Sequence, residues 1–333
     1  MSEHEDETVV VTYGADDKAR TLHAQVLGRR ARLVYLRDLA PEERRKALTS
    51  ATALISWSPG KELEDEETAL LSGAGLLQLL SAGADHVPFA KLPEGLAVAG
   101  NVGAFAEPMA EHVLAMALAL KKRLLANHAK LAAGEFVPFA TTGVLRGSVC
   151  GILGFGGIGR AVARLMRTIG LSIYAVNTSG QSSEPTDFIG TLDDLEHVLG
   201  AADCVVISLP LNRWTRGLIG RRELGWMKPD AMLINVARGA IVDEHALYEH
   251  MRANPDFAAG IDAWWVEPFR EGAFRTAEPF FDLPNFLGSP HNSAVVPGVM
   301  VEATRMAAEN VLRALRDEPV QGLMRREDYL EEH

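Results

Sequence analysis

The sequence predicts an α/β protein with two doubly wound domains, each a mostly parallel sheet with helices on both faces. The chain has 333 residues, which exceeds what one ordinary hydrophobic core supports, so two domains are expected. Short apolar or β-branched runs alternate with helical segments from one end of the chain to the other. This alternation is typical of parallel sheets, because parallel strands need crossover connections that are usually helical.

The composition narrows the class of protein. Hydrophobic residues make up 47% of the chain and charged residues 23%, which is typical of a globular protein. The net charge of -11 argues against nonspecific binding to nucleic acid or to an anionic membrane surface. No apolar run reaches the ~20 residues that span a bilayer, and the acidic N-terminus lacks the apolar segment of a secretory signal. We therefore expect a cytoplasmic protein without a nucleic-acid or membrane partner.

Neither a metal site nor a reactive thiol is expected. The two cysteines, Cys150 and Cys204, lie in apolar runs that are typical of interior strands. We interpret them as small buried hydrophobic residues. No spacing of cysteine and histidine residues suggests a metal site, so we predict none.

The first series of strand candidates is short and β-rich. They are Thr8–Tyr13, Arg32–Leu36, Ala53–Trp57, Leu76–Leu80 and Leu96–Ala99, with helix candidates at Ala15–Leu27 and Pro41–Thr49. We interpret the acidic run Glu62–Glu67 as the solvated face of a helix.

The second series is almost entirely apolar, as expected for parallel strands buried on both faces. Its members are Ser148–Leu153, Leu171–Val176, Cys204–Leu209, Met232–Val236, Ala259–Ala263 and Phe286–Gly288. An Ala/Leu/Met-rich helix, Pro108–Ala126, connects the two series, and a helix at Gly298–Leu315 returns the chain to the first domain. The predicted domains are residues 1–101 with 292–333, and residues 102–291.

A glycine-rich turn between a strand candidate and the helix candidate Arg160–Ile169 is the clearest binding signal. Its residues are Gly154, Phe155, Gly156, Gly157, Ile158 and Gly159. In this strand–turn–helix context the pattern predicts a dinucleotide site. Gly154 permits the tight turn, Gly156 lets backbone amides approach a pyrophosphate, and Gly159 allows close packing of helix on strand. The helix N-terminus adds partial positive charge for the phosphates.

The end of the following strand candidate is where the ribose of a dinucleotide is selected. NAD-binding proteins usually have Asp or Glu there to bond the ribose hydroxyls, whereas this chain has Asn177, Thr178 and Ser179. Without the carboxylate, nothing repels a 2′-phosphate. The sequence therefore favours NADP, with NAD as the alternative, since no arginine follows immediately.

Three residues with complementary chemistry follow apolar strand candidates. The Arg238 guanidinium could bind a carboxylate through two hydrogen bonds. His291 could donate a proton to a carbonyl oxygen, and Glu267 could pair with it and favour the protonated ring. A cation, a carboxylate and an imidazole beside a hydride carrier predict redox chemistry on an anionic substrate. The other histidines are interpreted as surface or packing residues, including His86, His112 and His128.

Several motifs in a fixed order make the chain resemble the D-isomer-specific 2-hydroxyacid dehydrogenase family, from Ala53 to the C-terminus. The matching segments are Ser81–Asp85, Met109–Glu111, Gly151–Gly159, Ala202–Pro210, Met227–Lys228 and Asn235–Glu244. The resemblance implies two Rossmann-like or flavodoxin-like domains that close over a cleft. Residues 1–101 and 292–333 would form the substrate domain, and residues 102–291 the dinucleotide-binding domain. It also implies a homodimer formed through the dinucleotide-binding domain.

The resemblance implies a role for each candidate site residue. Arg238, Glu267 and His291 would be the catalytic residues, with Arg238 and His291 also contacting the substrate. The substrate carboxylate would be bound by the backbone of Leu80, Ser81, Ala82 and Gly83. The cofactor would contact the glycine-rich turn, Asn177, Thr178, Ser179, Leu209, Pro210, Val236, Ala237 and Asp262. Asp262 would orient the nicotinamide carboxamide.

Two features distinguish this chain within the family that it resembles. Trp264 and Trp265 make the segment before Glu267 bulky, which predicts that they shape the substrate pocket. Glu267 argues against the formate dehydrogenase branch, which carries Gln at this functional position, because formate oxidation needs no general acid.

The sequence thus predicts an NAD(P)-dependent D-2-hydroxyacid dehydrogenase or 2-keto acid reductase, with glyoxylate- or hydroxypyruvate-like substrates. Two alternatives stay open. One is a dinucleotide-binding regulator of the same fold, and the other is a phosphite- or phosphonate-type dehydrogenase. Consumption of NADPH or NADH with a panel of 2-keto acids distinguishes these functions.

Overall fold

The computed structural model describes residues 7–330, which form two compact units. One unit contains the residues up to Phe105 together with those from Val296 onward, and the other runs from Ala106 to Val295. Both units are parallel sheets with helices, which confirms the predicted fold class. They divide later in the chain than the predicted boundaries, since the helix that opens the second unit begins at Ala106.

The first unit is built on a five-stranded parallel sheet with the order β2-β1-β3-β4-β5. Its strands are β1 (Thr8–Val11), β2 (Arg32–Tyr35), β3 (Ala53–Ser56), β4 (Leu76–Leu79) and β5 (Ala97–Ala99). Its helices are α1 (Asp17–Leu27), α2 (Pro41–Thr49), α3 (Pro59–Glu62), α4 (Asp65–Thr68) and α12 (Val299–Ala314). Strands β1, β3 and β4 are buried along their whole length, as expected for a sheet that is covered on both faces.

The second unit is built on a seven-stranded parallel sheet with the order β12-β11-β10-β9-β6-β7-β8. Its strands are β6 (Val149–Leu153), β7 (Ser172–Val176), β8 (Phe188–Gly190), β9 (Cys204–Ile207), β10 (Met232–Asn235), β11 (Ala258–Ile261) and β12 (Phe286–Gly288). Its helices are α5 (Ala106–Lys121), α6 (Leu124–Ala132), α7 (Gly157–Thr168), α8 (Leu195–Ala201), α9 (Arg221–Trp226), α10 (Glu244–Ala253) and α11 (Pro268–Glu271). The strand order reverses direction between β6 and β9, which creates a topological switch point there.

Strand β8 is absent from the predicted strands. It has three residues, pairs only with β7 at the edge of the sheet, and is half-buried over most of its length. Three residues are too few to show the alternation that identifies a strand from sequence. Its pairing with β7 is what makes it a strand.

The long helix predicted over Pro108–Ala126 is interrupted near its C-terminal end. Helix α5 ends at Lys121, Arg123 takes a left-handed backbone conformation with φ 48°, and α6 begins after it. The Arg123 guanidinium forms an ion pair with Asp256 at 2.8 Å. Helix propensity favours continuation through this stretch, so the local sequence does not show the stop.

The two cysteines are fully buried free thiols in register on β6 and β9, which confirms their predicted role as small core residues. The hydrogen bond with Cys204 and then burial raise the pKa of Cys150, so this thiol is poorly suited to form a thiolate. Within residues 7–330 no helix is long and apolar enough to cross a membrane. The same residues contain no group of three or more His, Cys, Asp or Glu side chains that could hold a metal ion.

The acidic run Glu62–Glu67 is not the uniformly solvated face that the sequence predicts. Glu67 is only 5% exposed and accepts two hydrogen bonds from the Arg44 guanidinium, at 2.8 and 2.6 Å. Glu62 accepts hydrogen bonds from two hydroxyl groups, at 2.6 Å each. The two ends of the run therefore turn inward, and only its middle is exposed.

Replacing Arg44 with Ala should lower the free energy of unfolding at neutral pH by about 3 kcal/mol, because Glu67 stays buried without its cation. The hydrogen bond with Arg44 lowers the pKa of Glu67. This carboxylate therefore stabilises the fold above its unfolded-state pKa, and the stabilisation is lost as the pH falls through the folded-state value. Urea unfolding should show a difference between wild type and variant that shrinks in acid.

The matched control is Lys91→Ala. Lys91 pairs with Asp65 at 2.6 Å, but the two side chains are 53% and 76% exposed. We expect a loss of less than about 1 kcal/mol. Equal losses in the two variants would show that burial of Glu67 does not set the strength of its ion pair.

Candidate active site

The glycine-rich turn connects β6 to α7 at the topological switch point. Gly154 has φ 96°, a conformation that favours glycine, and a Cβ there would lie 2.8 Å from the backbone of Ser208 and Leu209. The Ser208 hydroxyl donates a hydrogen bond to the Gly154 carbonyl at 2.7 Å. The turn is therefore fixed against the segment after β9, where Leu209 and Pro210 lie.

The other glycines of the turn have different surroundings. A Cβ on Gly159 would lie 2.1 Å from the Gly154 carbonyl oxygen, so only glycine allows α7 to start this close to the strand. A Cβ on Gly156 would meet nothing within 4 Å, so the space beside it is open. Gly156 is also the N-cap of α7, which begins at Gly157. Open space at a helix N-terminus fits the phosphates of a dinucleotide.

The two non-glycine residues of the turn anchor it. Phe155 is 5% exposed and packs into the interior, whereas Ile158 is half-buried in the first turn of α7. Leu209 is half-buried and Pro210 is exposed at the neighbouring strand end.

Asn177 follows β7 and organises the loop where the ribose is expected. Its Oδ1 accepts hydrogen bonds from the amides of Ser179 and Gly180, at 3.0 and 2.7 Å. Its Nδ2 donates to the carbonyl of Gln181 at 2.8 Å. The Asn177 side chain thus holds its own loop in a turn, and Thr178 and Ser179 are exposed. Contacts with a ribose or phosphate would fall largely on these exposed hydroxyl groups.

Val236 and Ala237 are buried at the end of β10, which is the strand next to β9. Asn235, the last residue of β10, holds them in place. Its Oδ1 accepts from the Ala237 amide at 3.0 Å, and its Nδ2 donates to the Arg238 carbonyl at 2.9 Å. The buried amide of Asn235 therefore fixes the backbone on which Arg238 is mounted.

Arg238 is half-buried, and its Nη1 donates to the carbonyl of Ala237 at 2.7 Å. The next residue, Gly239, packs directly against the peptide that joins Trp264 and Trp265. A Cβ on Gly239 would approach three atoms of that peptide to within 2.3–2.5 Å. The strand end that carries Arg238 therefore touches the segment that leads to Glu267.

His291 and Glu267 lie in contact. The Nδ1 atom of His291 is 2.7 Å from Oε1 of Glu267, and the two side chains are 27% and 11% exposed. The same carboxylate oxygen accepts the amide of Trp264 at 2.8 Å. The pair is thus shielded from water while the imidazole stays accessible, which suits a group that transfers a proton.

Opposing effects set the charge of Glu267. Burial raises the pKa of Glu267. The hydrogen bonds from His291 and the Trp264 amide, together with the charges of His291 and Arg238, lower this pKa by more than burial raises it. The net pKa lies below the usual value for glutamate, so the group is a carboxylate at neutral pH. The charges of Arg238 and His291 therefore both act on the carboxylate of Glu267.

Trp264 and Trp265 support this arrangement. Trp264 is 7% exposed, donates from Nε1 to the Ser289 carbonyl at 2.8 Å, and stacks on Phe281 with 5.7 Å between ring centroids. Trp265 stacks on Phe280 at 5.5 Å. The rings therefore support the segments that carry Glu267 and His291, and their effect on a substrate pocket stays a prediction.

His112, which the sequence suggests is a surface or packing residue, makes a contact that the sequence does not show. Its Nε2 lies 2.9 Å from the hydroxyl of Ser289, and this hydroxyl donates to Oδ1 of Asp262 at 2.6 Å. Ser289 is likewise absent from the predicted site. The contact joins residues that are 177 positions apart, so no local pattern could reveal it. The single sequence signal is that His112 directly follows the family-like segment Met109–Glu111.

Asp262 is fully buried, and both of its carboxylate oxygens accept hydrogen bonds from the protein. Its partners are the Ser289 hydroxyl and the backbone amides of Asn292 and Ser293, which follow His291. The structure thus shows what Asp262 does inside the protein. The expected contact with a nicotinamide carboxamide stays a prediction.

Leu80, Ser81, Ala82 and Gly83 lie in the first unit, directly after β4. The Leu80 amide donates to the Ser56 carbonyl at 2.8 Å, and the Ser81 hydroxyl donates to the Gly83 carbonyl at 2.9 Å. Leu80 is buried, and the other three residues are half-buried at the carboxyl edge of the sheet. Their contact with a substrate also stays a prediction, and the three candidate catalytic residues all belong to the second unit.

Two glycines of the turn, Gly156 and Gly159, should respond differently to replacement by alanine. Gly156→Ala should leave the melting temperature close to wild type but weaken dinucleotide binding, because the new methyl group enters open space where a phosphate is expected. Gly159→Ala should lower the melting temperature, because its methyl group meets the Gly154 carbonyl. Thermal unfolding and NADPH titration by fluorescence measure the two effects. Unchanged NADPH affinity in Gly156→Ala would place the phosphates elsewhere.

Comparison with known proteins places this site in a family. A model for the NAD binding domain of D-isomer specific 2-hydroxyacid dehydrogenases matches residues 114–293. Glyoxylate reductase from Aeropyrum pernix is 32% identical over 241 residues, which are 70% of this chain and 70% of that protein. D-3-phosphoglycerate dehydrogenase from Methanocaldococcus jannaschii is 28% identical over 84% of this chain, and the match spans 53% of its own length. A solved structure of a candidate formate dehydrogenase from Pyrobaculum aerophilum has a TM-score of 0.81 at 26% identity, and the match covers 96% of this chain and 99% of that one.

The family match includes the features on which the site depends. Residues 114–293 contain the glycine-rich turn, Arg238, Glu267 and His291. They make up more than half of the chain. The protein therefore belongs to the D-isomer specific 2-hydroxyacid dehydrogenase family of NAD(P)-dependent oxidoreductases.

Proposed function

We propose that the protein reduces 2-keto acids to D-2-hydroxy acids with NADPH or NADH, and catalyses the reverse oxidation when the hydroxy acid is in excess. The observation that carries the proposal is the 2.7 Å contact between His291 Nδ1 and Glu267 Oε1. It joins an accessible imidazole to a buried carboxylate. Arg238, whose charge acts on Glu267, supplies the positive charge that an anionic substrate needs.

Each of the three side chains has one task in this reaction. The dinucleotide, when bound, supplies the hydride that reaches the carbonyl carbon. Because Nδ1 of His291 contacts Glu267, Nε2 is the ring nitrogen that gives its proton to the carbonyl oxygen. Glu267 stabilises the protonated ring and fixes its orientation. Arg238 binds the substrate carboxylate or carbonyl with its planar fork of donors.

The substrate is a small 2-keto acid of the glyoxylate or hydroxypyruvate kind. The Aeropyrum pernix relative is a glyoxylate reductase, which supports a small substrate. We assign the backbone of Ser81, Ala82 and Gly83 to the substrate carboxylate. In the part of the chain that the structure describes, no acceptor is found for the amides of these three residues, so they are suited to an anion.

The cofactor preference is for NADP. The loop at Asn177–Ser179 has no carboxylate to repel a 2′-phosphate. Asn177 holds this loop so that the hydroxyl groups of Thr178 and Ser179 are exposed. These neutral donors give a weaker preference than an arginine would, so NAD should also be accepted.

The protein should act as a cytoplasmic homodimer. Helix α6 has no buried residue, and the chain after it exposes large apolar side chains, including Phe136 at 78% and Phe139 at 94%. Large exposed apolar side chains of this kind favour association with another protein surface. The exposed apolar residues of this segment are Leu124, Leu125, Leu131, Phe136, Val137, Phe139 and Val144.

A substrate panel tests the function. Oxidation of NADPH and NADH should be followed with glyoxylate, hydroxypyruvate and larger 2-keto acids, and reduction of NADP and NAD with phosphite. Turnover of a small 2-keto acid supports the proposal. Dinucleotide binding without any turnover would favour a regulator of the same fold, and turnover with phosphite alone would favour a phosphite-type dehydrogenase.

Changing Glu267 to Gln should move the upper pH limit of keto acid reduction to lower pH. The Glu267 pKa lies below its usual value, so the wild-type residue is negative throughout the neutral and alkaline range. The amide of Gln carries no charge to stabilise the protonated His291. Profiles of kcat against pH for both proteins provide the measurement.

A second histidine–glutamate pair provides the control for that change. His245 Nδ1 lies 2.7 Å from Glu278 Oε1, with His245 65% exposed. Glu278→Gln should leave the pH profile of kcat unchanged. An unshifted profile in Glu267→Gln as well would remove Glu267 from the acid–base step. His291→Ala should lower kcat by about 10²–10⁴-fold, the range expected for the loss of a general acid.

Arg238→Lys should cause a large loss of kcat/KM for keto acids with the affinity for NADPH mostly retained. An ammonium group cannot reproduce the two parallel hydrogen bonds of the guanidinium. Steady-state kinetics and NADPH titration separate the two quantities. Arg252→Lys, on the surface of α10, is the control. Near-normal kcat/KM in Arg238→Lys would contradict the assignment of Arg238 to the substrate.

Asn177→Asp should shift the cofactor preference toward NADH. The new carboxylate can still accept from the amides of Ser179 and Gly180, but its charge repels a 2′-phosphate. The ratio of kcat/KM for NADPH to that for NADH should fall. Gln25→Glu adds the same charge on the exposed surface of α1 and should leave the ratio unchanged. A wild-type enzyme that strongly prefers NADH would contradict the proposed preference.

A further inference from the structure

The buried carboxylate of Asp262 accepts hydrogen bonds from residues on both sides of His291. Its Oδ1 accepts the Ser289 hydroxyl at 2.6 Å and the Asn292 amide at 3.1 Å, and its Oδ2 accepts the Ser293 amide at 3.2 Å. The side chain of Asp262 has no exposed surface. Three hydrogen bonds accepted by one carboxylate therefore hold the short turn that carries the imidazole.

His291 needs such a restraint because its backbone is strained. Its φ is 53°, in the left-handed region that side chains with a Cβ rarely adopt. A conformation of this kind is unfavourable and persists only where the surrounding structure holds it. The His291 amide also donates to the Ser289 carbonyl at 3.0 Å. The direction of the imidazole thus depends on contacts made by its neighbours.

His112 reaches this turn from α5. The hydroxyl of Ser289 has one hydrogen, and that hydrogen is directed to Asp262. The oxygen must therefore accept at its 2.9 Å contact with His112, so Nε2 of His112 carries a hydrogen. The same nitrogen lies 3.8 Å from Oδ1 of Asp262.

The charge of Asp262 depends on the same neighbours. Burial raises its pKa, but the hydrogen bonds from Ser289 and Ser293 and the charge of His112 lower it to a net value below the usual range. Asp262 is therefore a buried carboxylate. A buried charge depends strongly on each donor that faces it, because little water can replace a lost partner.

We infer that His112 is a positioning residue, which acts through Ser289 and Asp262 to hold the turn that aims His291 at Glu267. His112 acts on the reaction only through these residues. The inference rests on the proposed function in one respect, since it takes His291 as the proton donor.

Two variants distinguish the effect of the hydrogen-bond donor of His112 from the effect of its side-chain volume. His112→Phe keeps a ring but removes the donor. His112→Gln loses the ring but places an amide N–H where Nε2 lay. We expect His112→Phe to lower kcat for a 2-keto acid on the order of 10–100-fold, the cost of a misplaced catalytic group. The KM for NADPH should be nearly unchanged, and His112→Gln should recover most of kcat.

A matched pair of control variants uses another histidine of the second unit. His197, on α8, packs on Tyr174 and Phe188, with ring centroids 5.8 and 4.7 Å apart. His197→Phe and His197→Gln should leave kcat unchanged. Equal losses of kcat in His112→Phe and His112→Gln would overturn the inference, because they would indicate a packing role. Wild-type kcat in His112→Phe would also overturn it.

A measurement without substrate keeps the inference independent of the proposed function. In protein with ¹⁵N-labelled histidine, the proton between His291 and Glu267 should give a downfield resonance, identified by its loss in His291→Asn. This resonance should shift or broaden in His112→Phe and be retained in His112→Gln. A resonance that is unchanged in His112→Phe would overturn the inference. A wild-type protein without turnover of any 2-keto acid would instead overturn the proposed function.

Discussion

The parallel arrangement of the seven-stranded sheet is the constraint on which the site depends. All seven strands point the same way, so their carboxyl ends meet along one edge. At six of the strands, a candidate site residue of the second unit follows the strand end directly or within three positions. In chain order the strand ends lead to Gly154, Asn177, Leu209, Arg238, Asp262 and His291. Residues far apart in the sequence become neighbours because the strands share a direction.

Backbone contacts between these strand ends then restrict the geometry of the site. The glycine-rich turn has no room for a Cβ at Gly154 because it lies against the chain after β9. Gly239 likewise has no room because it lies against the peptide between Trp264 and Trp265. Glycine in these places allows one strand end to support the next. A change at one strand end is therefore transmitted to its neighbour, and the loops cannot adjust independently.

The sequence predicts the parts of this arrangement that have local patterns. Apolar runs located eleven of the twelve strands, and the spacing of glycines located the dinucleotide turn. Arg238, Glu267 and His291 stood out because each follows an apolar run and has chemistry that the others complement. The helix stop at Arg123 and the contact of His112 with Ser289 could not be predicted, because neither has a local sequence pattern, and the contact joins residues 177 positions apart. The inward turn of Glu67 toward Arg44 was hidden for the same physical reason.

The two buried carboxylates near His291 show how one type of group can serve two purposes. Both have a pKa below the usual value, although burial opposes this in each case. The hydrogen bonds of Asp262 come from the hydroxyl of Ser289 and from backbone amides, so its charge holds the chain in place. Glu267 shares its Oε1 atom between a backbone amide and the imidazole of His291, so its charge also acts on a group that can gain and lose a proton. A fixed charge beneath the turn and a second charge at the ring together allow His291 to exchange a proton without losing its orientation.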